Sequence, residues 1–272
     1  MTDSHSHLED FSEDIIAKAQ NGLRMTNREL SERAGIDLPA LKALKNGLSD
    51  EEALRKVAPQ LHLSADRLVT ASKKEWLQRE QALPQLTTFT SQFRTMTVNA
   101  YLVTSGKRGI LFDTGVDPVP ILDHLEHHQV QLEAILLTHG HPDHIAVLGP
   151  LLEGCPGIPV FAHPAEAIGG TQEIQWDSPF TAGPFRLRPL STPGHTPGGT
   201  SYWIEDQHPP ITVVGDALFA GSIGGCAAAY DLALDSIRSN LLTLPDETIL
   251  CPGHGPTTTV VEEKQHNPFF PN

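Results

Sequence analysis

From residue 86 onward, short apolar runs alternate with polar, Gly- and Pro-rich turns, a texture that predicts strands. They fall at Thr87–Thr90, Tyr101–Val103, Gly109–Phe112, Ala134–Leu137, Pro159–Phe161, Phe185–Leu190, Thr200–Ile204, Ile211–Val214 and Thr248–Leu250. Helical spacing intervenes at Val119–His128, Ile145–Leu152 and Leu232–Leu242. Strands with helices on the outside make a layered α/β domain. Residues 11–80 read differently, as short helices with almost no strand signal. Phe11–Asn21 is amphipathic, Thr26 and Glu29 form a capping-box pattern, and Gly35 is a stop for that second helix. Leu38–Lys45, closed by Asn46-Gly47, Asp50–Leu61 and Ser64–Ala71 complete a set of five. The organisation expected is a polar, disordered tail at 1–10, a helical domain at 11–72, a linker at 73–85 and the layered α/β domain at 86–272.

Length and composition narrow the setting. A chain of 272 residues suits one large or two unequal domains. No stretch reaches the roughly 18 apolar residues of a membrane span. The N-terminus lacks the cationic start and apolar core of a secretory signal. A cytoplasmic protein without a membrane partner is therefore expected. Cys155, Cys226 and Cys251 have no C-x-x-C spacing, which suits a reducing compartment and a role as small buried hydrophobes. The net charge of −14 is uneven: residues 1–80 carry 12 Lys and Arg against 14 Asp and Glu, leaving 7 against 19 beyond them. So acidic a segment repels a nucleic-acid backbone.

The densest chemistry is the run Thr138-His139-Gly140-His141-Pro142-Asp143-His144, directly after an apolar strand. In extended chain, side chains at i and i+2 point the same way. His139 and His141 can therefore grip one metal while Asp143 and His144, at the start of a helix, face a second. His195, Asp216 and His254 follow at loop positions flanked by Gly or Pro. Imidazole and carboxylate without thiolate suit zinc, with iron or manganese as alternatives. Two such ions activate a bridging water and stabilise charge on attacking and leaving atoms. Among other side chains, His163 after its strand and Cys226 and Tyr230 in a Gly-rich loop could line a pocket, whereas His124, His127 and His128 suit a solvated helix face.

Together His139, His141, Asp143, His144, His195, Asp216 and His254 resemble the H-x-H-x-D-H…H…D…H pattern of the metallo-β-lactamase superfamily. The flanks agree: Asn99-Ala100-Tyr101, Asp113-Thr114-Gly115, Pro193-Gly194-His195, Gly215-Asp216-Ala217-Leu218-Phe219 and Asn267-Pro268-Phe269. The resemblance implies an αββα sandwich over about residues 86–270, closest to the glyoxalase II-like branch, whose members hydrolyse thioesters. It implies one ion on His139, His141 and His195, another on Asp143, His144 and His254, with Asp216 bridging. Asp143 would orient a metal-bridging hydroxide, and Asp113 would hold a ligand histidine from behind. The expected function is a dinuclear metal-dependent hydrolase of a small thioester or ester. One departure stands out: Gly225 falls where glyoxalase II carries a basic residue, which points to a smaller or less anionic ester, thioester or lactone.

Two other functions share the sequence. A persulfide dioxygenase uses the same motif with one iron on two His and one Asp, and His139, His195 and Asp216 are present. A metabolite-sensing DNA-binding regulator would use the helical segment, which resembles the five-helix helix-turn-helix domain of phage-repressor-like proteins. Its recognition helix would be Leu38–Lys45, which offers Lys42 and Lys45 but no Arg, Gln or Asn to read base edges. The expectation is therefore self-association through residues 1–80, by way of a Leu38, Leu41 and Leu44 stripe, with DNA as the alternative partner. Deletion of that segment is expected to leave hydrolysis nearly intact.

Overall fold

The structure, a computed structural model, describes residues 8–74, 76 and 83–271. Its N-terminal part holds α1 (Ser12–Gly22), α2 (Asn27–Ala34), α3 (Leu38–Leu44), α4 (Glu51–Val57) and α5 (Ala65–Lys73), with a 3-10 turn at Ala58–Leu61. Local sequence sets the ends. Glu29 N donates to Thr26 Oγ1 at 3.2 Å, Thr26 N donates to Glu29 Oε2 at 2.7 Å, and Gly35 takes the left-handed conformation with φ 63°. Asp37 and Asp50 cap α3 and α4 by accepting from Ala40 N and Ala53 N. Each such cap stabilises a helix by about 1 kcal/mol.

The apolar stripe expected on α3 is mostly used inside this region: Leu41 and Leu44 are buried, and Leu38 is 50% exposed. Lys45, one of the two cations that a phosphate backbone would meet, donates instead to Gln20 Oε1 at 2.7 Å and Asn27 Oδ1 at 2.9 Å.

The remainder is a sandwich of two six-stranded sheets. In chain order come β1 (Leu86–Phe93), β2 (Met96–Ser105), β3 (Arg108–Phe112), α6 (Val119–His128), β4 (Gln131–Leu136), α7 (Pro142–Ile145), α8 (Leu148–Gly154), β5 (Val160–Ala162) and β6 (Gln172–Glu173). Then follow β7 (Phe180–Ala182), β8 (Phe185–Ser191), β9 (Thr200–Ile204), β10 (Ile211–Gly215), β11 (Leu218–Phe219), β12 (Ser222–Ile223), α9 (Tyr230–Asn240), β13 (Ile249–Pro252), β14 (Thr258–Thr259) and α10 (Val260–His266). The first sheet runs β1-β2-β3-β4-β5-β6 and the second β14-β13-β10-β9-β8-β7. The single helix expected at Ile145–Leu152 is two, α7 and α8.

Strand alternation builds the layers. Ile110 and Phe112 pack between the sheets with Tyr202, Val213 and Ile249, while Leu111 faces Ile121, Leu125 and Leu151 on the far side. Val214 likewise turns away from the sheet interface, into a third cluster with Leu190, Leu250, Ile237 and Phe269.

That third cluster runs on without a break to Ile15, Ile16 and Leu68 of the N-terminal helices. Hydrogen bonds join the two parts: Ser64 N to Pro268 O at 2.9 Å, Lys18 Nζ to Ile223 O at 2.7 Å and Arg67 Nη1 to Asn267 O at 3.1 Å. Gly22 is pressed so closely on Tyr230 that an added Cβ would lie 2.3 Å from its ring. Removing residues 1–80 would bare an apolar face of the sandwich, so these helices are part of the same packed body rather than an appended module.

The tail and linker also differ from expectation where they are described. Asp10 is buried and paired with Lys18, so only residues 1–7 of the 1–10 segment lie outside the described residues. Within 73–85, Lys73 closes α5 and the Trp76 ring stacks on His266 at 4.8 Å, while residues 75 and 77–82 lie outside the described residues. No helix among the described residues is long and apolar enough to cross a membrane.

Candidate metal centre

The centre is built where strands of both sheets end. Beyond β4 the chain bends at Thr138 and is extended at His141, with φ −69° and ψ 147°, and Pro142 then starts α7. His139 and His141 accordingly converge, His139 Nε2 lying 3.0 Å from His141 Nδ1. His195, on the loop after β8, brings its Nε2 to 2.9 Å from the same His141 atom. Two imidazole nitrogens on one tetrahedral ion, each about 2.1 Å from it, stand about 3.4 Å apart, so nitrogens this close are within the spacing that one ion spans. Asp143 and His144 project from α7, and Asp216 and His254 follow the paired parallel strands β10 and β13.

All seven residues named from the sequence meet. The ligand atoms of His139, His141, His195 and Asp216 lie within 4.8 Å of one another, and those of Asp143, His144 and His254 do likewise. Asp216 touches both sets: its Oδ2 is 3.4 Å from His195 Nε2 and 3.3 Å from His254 Nε2, and its Oδ1 is 3.4 Å from His144 Nε2. Asp143 Oδ2 stands 3.5 Å from His254 Nε2 and 3.9 Å from His144 Nε2. Two glycines allow this closeness. A Cβ at Gly215, where φ is 51°, would lie 2.4 Å from Thr138 Oγ1, and one at Gly253 would lie 2.2 Å from Asp216 Oδ1.

Groups behind the imidazoles fix their orientation. His144 Nδ1 pairs with Asp113 Oδ2 at 2.8 Å, as the sequence led us to expect, and Asp113 also accepts from Thr138 N and Thr138 Oγ1, both at 2.7 Å. His195 Nδ1 faces Gly225 O at 2.8 Å, His254 Nδ1 faces Thr97 O at 2.5 Å, and His139 Nδ1 faces Thr138 Oγ1 at 3.0 Å. In each case the Nε2 atom is left pointing into the cluster.

The electrostatics suit a cation. Burial pushes Asp216 upward, but the positive field of His144 and close contacts with His144 and His254 outweigh it and hold the carboxylate well below its ordinary range. Burial, reinforced by His144, holds His139 well below the usual imidazole value, and burial lowers His195 despite the opposing Asp216 charge. His144 goes the other way: burial would lower it, yet Asp216 and Asp113 raise it well above that value. His144 Nε2 and Asp216 Oδ1 are buried, face each other at 3.4 Å and form no well-aligned hydrogen bond, an arrangement that normally costs about 1–3 kcal/mol for each unsatisfied group. A divalent ion satisfies both, and the donor set of imidazole and carboxylate fits one.

His163 does not join the cluster. It stacks on Trp176 at 4.1 Å, and a Cβ on Gly198 would lie 2.7 Å from its Nδ1. Cys226 lies beside His195 and Gly224, its thiol pushed up to about 11 by burial, and Tyr230 is buried towards α1. Glu9 also comes near: its backbone packs on Gly255, next to His254, and burial raises its carboxyl. Sequence reasoning missed Thr138 and Glu166. The first is marked only by adjacency to His139, and the second is a lone acid with no spacing to flag it.

Comparison with known proteins identifies the family. The Metallo-beta-lactamase superfamily profile matches residues 94–254, and the chain belongs to that superfamily. It is 35% identical over 196 residues to "Probable metallo-hydrolase YqgX" of Bacillus subtilis (strain 168), covering 63% of this chain and 92% of that one. It is 30% identical over 194 residues to "Hydroxyacylglutathione hydrolase GloC" of Haemophilus influenzae, covering 60% and 88%. Among solved structures, the BLEG-1 B3 metallo-beta-lactamase superposes with a TM-score of 0.62 at 31% identity, over 68% of this chain and all of that one.

Proposed function

We propose that the protein is a dinuclear metal-dependent hydrolase of a small thioester or ester, with zinc the favoured ion. The observation that carries the reading is the carboxylate of Asp216 lying between two ligand sets, within 3.4 Å of His195, His144 and His254. When bound, a pair of ions supplies an activated water and polarises the substrate carbonyl. His139, His141 and His195 would hold one ion and Asp143, His144 and His254 the other, with Asp216 shared.

Asp143 has a further task in this reading. Its Oδ2 is on the cluster side, so it can orient the attacking water, accept its proton as the acyl carbon is attacked, and return that proton as the acyl C–S or C–O bond breaks and the thiol or alcohol leaves. Substrate enters beside His141 and His195, the two partly exposed imidazoles, since the other five ligands are buried. The rim there favours an acyl group with little negative charge. Gly225 presents only its carbonyl to His195, and Lys18, which reaches the Ile223 carbonyl, is already neutralised by Asp10.

A panel of neutral-acyl thioesters, esters and lactones, set beside a glutathione thioester, tests the reading. Hydrolysis of neutral thioesters or esters, lost by several orders of magnitude in Asp143→Asn, is expected. Failure on the entire panel by metal-loaded protein would contradict it.

A further inference from the structure

The first ligand set is assembled from two loops, Thr138–His141 and Thr192–Gly199, and their relative position decides whether His195 meets His139 and His141. Glu166 lies between them. Its Oε2 accepts from Gly140 N at 2.9 Å, and its Oε1 accepts from Gly198 N at 2.7 Å. Gly140 separates His139 from His141, and Gly198 is three residues beyond His195. We propose that Glu166 is a positioning residue of the metal centre, a carboxylate clamp that sets the spacing of the His139/His141/His195 nitrogens by holding one backbone N–H of each loop on each of its oxygens.

The surroundings fit that role. Glu166 is buried at the end of the 3-10 turn Pro164–Glu166, whose start is capped by His163 Nδ1 accepting from Ala165 N at 3.2 Å. The His163 ring is itself stacked on Trp176, which donates from Nε1 to Thr200 Oγ1 at 2.9 Å. The carboxylate therefore rises from a braced platform. Glycine at 198 is what lets it approach, because a Cβ there would stand 2.7 Å from Glu166 Cγ. A bond from a carboxylate to a backbone N–H is charge-assisted and among the stronger hydrogen bonds.

The substitution Glu166→Gln keeps the volume and turns one of the two acceptors into a donor. Whichever way the amide lies, it opposes the N–H of Gly140 or Gly198. One loop then loses its tie to the carboxylate, leaving the bond from Thr200 N to Thr138 O at 3.0 Å to hold the two segments, while the Asp143/His144/His254 set keeps its own partners.

The inference rests on reading the cluster as a metal centre, and cobalt titration of stripped full-length protein separates the two. Wild-type protein should bind two cobalt ions, with visible absorption bands for each. In Glu166→Gln, the affinity of one ion should fall about 10–100-fold and its bands should shift, the size usual for loss of a group behind a ligand. The other ion should stay within about twofold of wild type, a selectivity that a general loss of stability does not produce. Gly198→Ala, which displaces the carboxylate without removing it, should reproduce the same selective loss and keeps the test open if Glu166→Gln folds poorly. Unchanged affinities and spectra in both variants, or equal weakening of both ions along with a lower melting temperature of stripped protein, would overturn the clamp. Wild-type protein that bound no cobalt would instead sink the metal-centre reading.

Discussion

Replacing Asp113 with Asn tests how the second ligand set is oriented. In the native fold its two oxygens take three donors, Thr138 N, Thr138 Oγ1 and the Nδ1 of His144, all at 2.7–2.8 Å in a buried site. Asparagine offers one oxygen and one NH2 in the same volume. If the oxygen faces His144, the NH2 meets the Thr138 backbone N–H, donor against donor. If the NH2 faces His144, the ring must shift its proton to Nε2, the atom that would bind the ion. The first arrangement leaves a buried donor unpaired, which lowers apo-protein stability by about 1–3 kcal/mol, and the second puts a proton on the nitrogen that would bind the ion. Metal affinity of the Asp143/His144/His254 set should fall about 10–100-fold, more than that of the His139/His141/His195 set. Urea unfolding of apo-protein and calorimetric zinc titration read the two effects separately. Wild-type affinity at both sets, with only the stability loss, would refute the orienting role and leave Asp113 as a structural bond.

Further outcomes follow from other parts of the fold. Ile16→Ala should cost about 2–5 kcal/mol, and the helices and sandwich should unfold in one transition because they share a core; two separated transitions by calorimetry would contradict that. Glu263, fully buried and bonded to Gly221 N, Thr258 and Asn267, is pushed up to about 7 by burial. Because the folded state then binds the proton more tightly than the unfolded one, stability should decline as pH rises from about 4.5 to about 7 and be flat in this respect above it, by about 3 kcal/mol in total. Glu263→Gln should remove that slope from the difference between unfolding curves, and an identical pH profile would count against it. Gly253→Ala puts a Cβ 2.2 Å from Asp216 Oδ1, so zinc binding measured by calorimetry should be lost or reduced well beyond tenfold. Retained affinity would show that the strand end shifts freely.

The seven clustered residues were legible in the sequence because each lies at a strand end or loop set off by Gly or Pro, and backbone direction fixes which neighbours share a side. His139 and His141 meet as their i, i+2 spacing requires, and Asp143 and His144 turn away where Pro142 begins a helix. The long strands and the capped helices were equally visible, Thr26 with Glu29 above all. The two-residue strands β6, β11, β12 and β14 left no period to read, since pairing partners distant in sequence create them. Docking of the helical region was hidden for a different reason. Ile15, Ile16 and Leu68 look like the inward face of a small domain, and nothing in their spacing says that the same face continues onto Phe269 and Leu250. Glu166 was invisible because its function depends on two backbone N–H groups, which every residue type but proline carries.

The central claim is that two ions on these seven residues perform hydrolysis. Chelator-stripped protein titrated with zinc, while thiol release from a neutral-acyl thioester and dissolved oxygen are followed together, tests it most directly. The account predicts no activity without metal, a rise that levels off at two equivalents, and no oxygen consumed. Full activity with one iron per chain and oxygen uptake on a persulfide, or thioester hydrolysis indifferent to metal removal, would contradict it.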